Sequence, residues 1–130
     1  MIKKLICLCA FAAAFVSAGW AGSYNRGVSA TYGNSPHFDY TNNPMMFAAG
    51  TVFTATVSGF GPGNGVSFAY EAANPNNYYV MVSPGTSSSQ SFYASQTSGA
   101  LAASTQVIVG VSATANGAGA YCTSTLNATW

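Results

Sequence analysis

The chain has 130 residues and a formal net charge of +1, and only 4% of its residues are charged, where a globular domain usually has about a quarter. Past Lys3 and Lys4, the charged side chains reduce to Arg26, Asp39 and Glu71, with a single His37. Nucleic-acid binding and attraction to anionic membranes both need clustered Lys and Arg, so both are excluded. Acid–base catalysis, phosphate recognition and metal cages lack the groups they require, and the composition predicts a non-enzyme without a cofactor.

The chain opens as an export signal. Lys3 and Lys4 supply a positive start, Leu5 to Val16 is an apolar run, and small residues follow at Val16-Ser17-Ala18 and Gly19-Trp20-Ala21. This predicts a cleaved secretory peptide over residues 1–21 and one domain over 22–130. The apolar run is shorter than the roughly 20 residues a membrane span needs. The expected location is extracellular or at the cell surface, or periplasmic if a Gram-negative host retains the protein. Cys7 and Cys9 leave with the signal, so the mature chain keeps Cys122 alone. One thiol cannot bridge within a chain; it is either buried as a small apolar residue or links two chains.

The remaining chain is rich in Gly, Ser, Thr, Asn and Tyr and poor in strong helix formers. Period-two alternation predicts strands from Val28 to Tyr32, Thr51 to Ser58, Val66 to Glu71, Tyr78 to Ser83, Gln90 to Ser95, Thr105 to Thr114 and Ala120 to Trp130. Glycine, proline and asparagine clusters separate them, and the stretch from Asn34 to Asn43 reads as loop. About seven short strands, each with one apolar side, predict an all-β, single antiparallel β-sandwich, immunoglobulin-like or jelly-roll-like. Many inward positions are Ala or Val, so the Phe residues, Trp130 and some tyrosines are expected to supply much of the buried area.

His37-Phe38-Asp39 is the only acid–base pairing in sequence, and with Glu71 it makes a weak three-ligand set; a loop hydrogen bond is the expected role. Asn127-Ala128-Thr129 fits the N-glycosylation pattern, which chance supplies readily in such a composition.

Three functional readings fit these limits. Soluble β proteins commonly guard their sheet edges with lysine, proline or inward charge, and this chain has no lysine after Lys4. That favours a structural or adhesive surface protein whose copies join by strand addition. The terminal strands carrying Val28 and Tyr32, and Tyr121, Leu126 and Trp130, are its expected contacts, with Cys122 as a candidate interchain thiol. The alternative is a monomeric module for neutral glycans, using Tyr40, Asn42, Asn74, Asn76, Tyr78 and Tyr79 if their loops converge. A small outer-membrane barrel ending on Trp130 is the third reading. The partners are accordingly a second copy or a neutral glycan.

Overall fold

Alternation in the sequence becomes strands wherever one row of side chains can be buried. The computed structural model describes residues 21–40 and 42–130, and the predicted export signal, Ala21 apart, lies outside the described residues. The strands are β1 (Ser23–Thr31), β2 (His37–Tyr40), β3 (Met45–Phe47), β4 (Val52–Phe60), β5 (Gly63–Glu71), β6 (Tyr78–Val82), β7 (Gly85–Thr86), β8 (Ser91–Thr97), β9 (Thr105–Ala115) and β10 (Tyr121–Thr129). Among the described residues no helix is long and apolar enough to cross a membrane.

Two antiparallel sheets result. Sheet 1 has the order β1-β10-β4-β8; sheet 2 has the order β2-β9-β5-β6, with β3 also on β9 and β7 also on β5. β2 and β3 share one track beside β9, and β6 and β7 share one beside β5, so the strands occupy eight tracks. The pairs β1–β10, β2/β3–β9, β4–β8 and β5–β6/β7 are the rungs of one long ribbon folded at its middle. Winding that ribbon brings β10 against β4 and β9 against β5, which is the jelly-roll topology.

The sequence reading finds seven of these strands and misses three. β2 lies in a stretch that reads as loop, and β2, β3 and β7 span only 4, 3 and 2 residues. β3 and β7 are too short to show alternation, and β2 alternates with its aromatic residues on the outward side; their partners define them. The sheets also keep four edges, whereas a membrane barrel must close to satisfy its backbone in lipid. The barrel reading therefore fails on topology.

The core lies between the sheets. Val107, Val109 and Val111 of β9 are fully buried, opposite Leu126 and Cys122 of β10 and Phe53 and Val57 of β4. One end is closed by aromatic rings: Phe47 packs edge-on against Phe53, Tyr24 and Trp130, and Phe53 stacks on Tyr79. The expectation that phenylalanines supply the core holds only in part, because Phe38 is 60% and Phe60 37% exposed.

β5 is inverted relative to its apolar pattern. Gly65, Ser67 and Ala69 face inward and are buried, while the larger Val66, Phe68 and Tyr70 face outward. Small inward residues let the sheets approach closely. Ser67 Oγ donates across the interior to the Thr125 carbonyl at 2.8 Å, and Ser124 Oγ donates back to the Ser112 carbonyl at 2.6 Å. These bonds satisfy both buried hydroxyls, which would otherwise each cost about 1–3 kcal/mol. The larger side chains are left to build an outer surface.

Candidate functional site

The four sheet edges are of two kinds. Those of sheet 2 are broken: β2 and β3 are short and separated by Pro44, and β6 and β7 by Pro84. β6 also carries a bulge opposite Ala69 and Tyr70, where Tyr79 is the extra residue. Its outward Met81 N–H is already taken, donating to Gln96 Oε1 at 2.9 Å. These are the devices that block edge pairing.

Sheet 1 is the opposite case. β1 has 9 residues and β8 has 7, both unbroken and without proline or lysine. Gly22 and Trp130 exchange both backbone bonds, at 2.9 and 3.1 Å, which sets the alternation along β1. The N–H and C=O groups of Ser23, Asn25, Gly27 and Ser29 therefore point away from β10. By the same logic, the Ser98 N–H to Phe53 bond and the Gly61 N–H to Gln90 bond leave Ser91, Tyr93, Ser95 and Thr97 pointing away from β4. Arg26 is the one charge on either strand, and it turns inward. Its Nε lies 3.4 Å from Asp39 Oδ2, and Nη1 donates to the Val109 carbonyl at 3.4 Å, across the gap between β1 and sheet 2. With Asp39 half exposed, a pair of this kind contributes about 1 kcal/mol or less.

The outward face of sheet 1 is uncharged and hydroxyl-rich. Cross-strand pairs Ser29–Thr123, Thr54–Thr97 and Thr56–Ser95 are hydrogen-bonded at 3.0, 3.2 and 3.0 Å. The outward face of sheet 2 is aromatic. Its registers place Tyr40, Gly110, Phe68 and Met81 in one row, and Ile108, Tyr70 and Tyr78 in the next. Gly110 is required there, since a Cβ on it would lie 2.5 Å from both Phe68 Cζ and Tyr40 Cβ. Its absence lets the Phe68 ring lie over the β9 backbone. Phe68 and Tyr70 are near-parallel, 5.7 Å apart with a 21° interplanar angle. Tyr78 stands against them at 6.4 and 5.3 Å.

The sequence-predicted residues divide between these surfaces. Tyr40 and Tyr78 are exposed at opposite edges of sheet 2, joined by the rings between them rather than by convergent loops. Asn42 lies exposed between β2 and β3, and Asn74 and Asn76 in the turn after β5. Tyr79 departs from expectation: the bulge turns it inward onto Phe53, beside an open cleft of about 500 Å³ whose other wall is the loop 98–103. Burial first, then the nearby Glu71, raise its phenol above the ordinary value, partly offset by a Thr105 hydrogen bond.

Among the assembly residues, Val28 and Tyr32 belong to the β1 edge and the turn after it. Tyr121, Leu126 and Trp130 require correction. β10 is paired on both sides, so it offers no free edge; Leu126 is fully buried, and Trp130 packs on Phe47. Cys122 is also corrected as an interchain thiol. It is 0% exposed in the core, and burial pushes its thiol upward, opposed by hydrogen bonds with Thr114 and Ser124. No second chain reaches it while the sheets stay together.

His37 Nε2 meets Asn34 Oδ1 at 2.9 Å, Asp39 meets Arg26, and Glu71 accepts from Asn77 at 2.9 Å on another strand. Among the described residues no group of three metal-ligating side chains forms. What sequence reasoning misses is β8 as an edge and Phe68 with Tyr70 as surface. The alternating Ser91, Tyr93, Ser95 and Thr97 is a visible signal for the first; the second has none, because alternation does not say which side is in.

No protein-family model and no curated protein matches the sequence. Among solved structures, the chain is similar to a CBM4 structure at 14% identity and a TM-score of 0.36, covering 80% of this chain and 79% of that one. A family 16 carbohydrate-binding module is similar at 14% identity and 0.35, covering 80% and 68%. A Bacillus endospore appendage, from a family of disulfide-linked pili, is similar at 10% identity and 0.33, covering 86% and 90%. At such scores and identities these likenesses assign neither a family nor a role.

Proposed function

We propose that the chain is an exported surface protein with a structural and adhesive role, whose copies join by strand addition between β1 of one and β8 of the next. The observation that carries this is the contrast between guarded edges on sheet 2 and open, uncharged edges on sheet 1. Strand directions also fit. With four antiparallel strands in sheet 1, β8 runs opposite to β1, so a neighbour added at that edge continues the antiparallel sheet. The contact joins unlike edges and does not close on itself, which builds filaments. Strand twist of about −20 to −25° per step turns each copy by roughly −80 to −100° relative to the last. Backbone hydrogen bonds supply the affinity, each worth about 1 kcal/mol.

The test is Asn25→Pro, with Asn25→Ala as control, imaged by negative-stain electron microscopy. The Asn25 N–H points to the free edge, so proline removes an intermolecular donor while sparing the bonds to β10. Wild type and Asn25→Ala should form filaments, and Asn25→Pro should not, at unchanged thermal stability. Equal filaments in all three would defeat the edge reading. Deleting β1 outright is a poorer test, because it removes the buried Ala30 and opens the paired edge of β10.

A second reading, contact with neutral glycans, is favoured by the aromatic outer face of sheet 2, which pairing along sheet 1 leaves free.

A further inference from the structure

We infer that the outer face of sheet 2 is a stacking platform for an extended, uncharged polysaccharide. This rests on the glycan reading above and names its ligand class and geometry; it is independent of whether copies assemble.

Ring orientation is the first argument. Phe68 lies over Gly110, and Tyr70 follows two residues on in the same strand, near-parallel at 5.7 Å. That pair is stacked ring on ring, and around it Tyr40 and Tyr78 are 58% and 44% exposed, so the face offers aromatic rings to a sugar. The axial C–H groups of an equatorially linked sugar form a flat apolar face of slightly positive character, which the negative face of an aromatic ring attracts. Tyr78 flanks this floor at the β6 edge and Tyr40 at the β2 edge, with Phe38 edge-on to Tyr40 at 6.1 Å. Three of these rings are tyrosines, so hydroxyls are present to meet the equatorial hydroxyls of a sugar.

Charge is the second. The one Lys or Arg among the described residues, Arg26, is turned between the sheets and engaged by Asp39. No cation serves the platform, so a uronic or sulfated polymer finds no counter-charge there. Asp39 and His37 lie on the inward side of β2, and Glu71 is bonded to Asn77. The face is neutral throughout, and it fits a neutral ligand whose apolar faces repeat along a straight chain. Such platforms bind weakly one at a time, and an array of copies would multiply the effect.

The experiment is depletion of the mature protein from solution by suspended microcrystalline cellulose and by chitin, with phenyl-agarose as the comparison surface. It is run on the full mature chain in wild-type and Asn25→Pro backgrounds, so that loss of filaments and loss of binding are read separately. Saturable depletion by at least one polysaccharide is expected, released by a soluble oligosaccharide of the same linkage. Tyr70→Ala with Tyr78→Ala should weaken it by about tenfold, the scale of two stacking contacts. Tyr40→Ala, an exposed change, serves if the double variant unfolds. Three outcomes overturn the inference: no depletion by either polysaccharide; equal uptake by phenyl-agarose with no release by soluble sugar; or loss of self-association in the Asn25→Pro background on Tyr70→Ala with Tyr78→Ala while sugar uptake is unchanged, which would assign the face to a second copy.

Discussion

Replacing Gly65 by alanine tests the inverted packing of β5 directly. A Cβ at Gly65 would sit 2.4 Å from Ser124 Oγ, 2.6 Å from Val57 Cγ1 and 2.8 Å from Cys122 Sγ. All three neighbours are fully buried, and Ser124 is held by its 2.6 Å bond to the Ser112 carbonyl. None can swing away, so the sheets must part by several tenths of an ångström. Overpacking of this kind costs about 1–3 kcal/mol. At about 4 °C per kcal/mol for a domain near this size, the melting temperature should fall by about 4–12 °C. Phe68→Ala is the companion. On the outer face it loses only part of a phenylalanine's burial, about 1 kcal/mol. Thermal and urea unfolding of both variants gives the comparison. If Phe68→Ala costs the 3–5 kcal/mol typical of a core phenylalanine while Gly65→Ala is neutral, the face assignment of β5 is wrong, and the aromatic platform falls with it.

Two further outcomes follow from the buried groups. Cys122 should resist iodoacetamide at pH 8 in the native protein and react quickly in denaturant, and Cys122→Ala should assemble as wild type does. A dimer band on a non-reducing gel of native protein would refute this placement. Stability should stay level from neutral pH and then decline as pH rises past the ordinary thiol and phenol values, about 8.5 and 10. The sign follows from linkage: with the Cys122 and Tyr79 values raised on folding, the native chain holds those protons where the unfolded chain has released them. Tyr79→Phe with Cys122→Ala should flatten that alkaline limb in urea titrations from pH 7 to 11. An unchanged limb would show that these groups do not set it.

The all-β class, the second half of β1 and the strands β4, β5, β6, β8, β9 and β10 are legible in the sequence, because alternation and turn chemistry are local. Composition likewise bears on the expected partners without any structure, since a chain cannot use charges it lacks. Three things wait for the tertiary fold. Which strands lie at edges is a property of pairing between distant segments, so β10, a candidate edge by its terminal position, proves interior, and β8 proves to be the edge. Which side of a strand faces in is symmetric under a period of two, so Phe68 and Tyr70 come out as surface because Gly65, Ser67 and Ala69 fit the close approach of the sheets. The bulge at Tyr79 belongs to both, since a single extra residue turns one of two adjacent tyrosines into the core and leaves the other outside. Local sequence settles what a segment is; only its non-local neighbours decide what it touches.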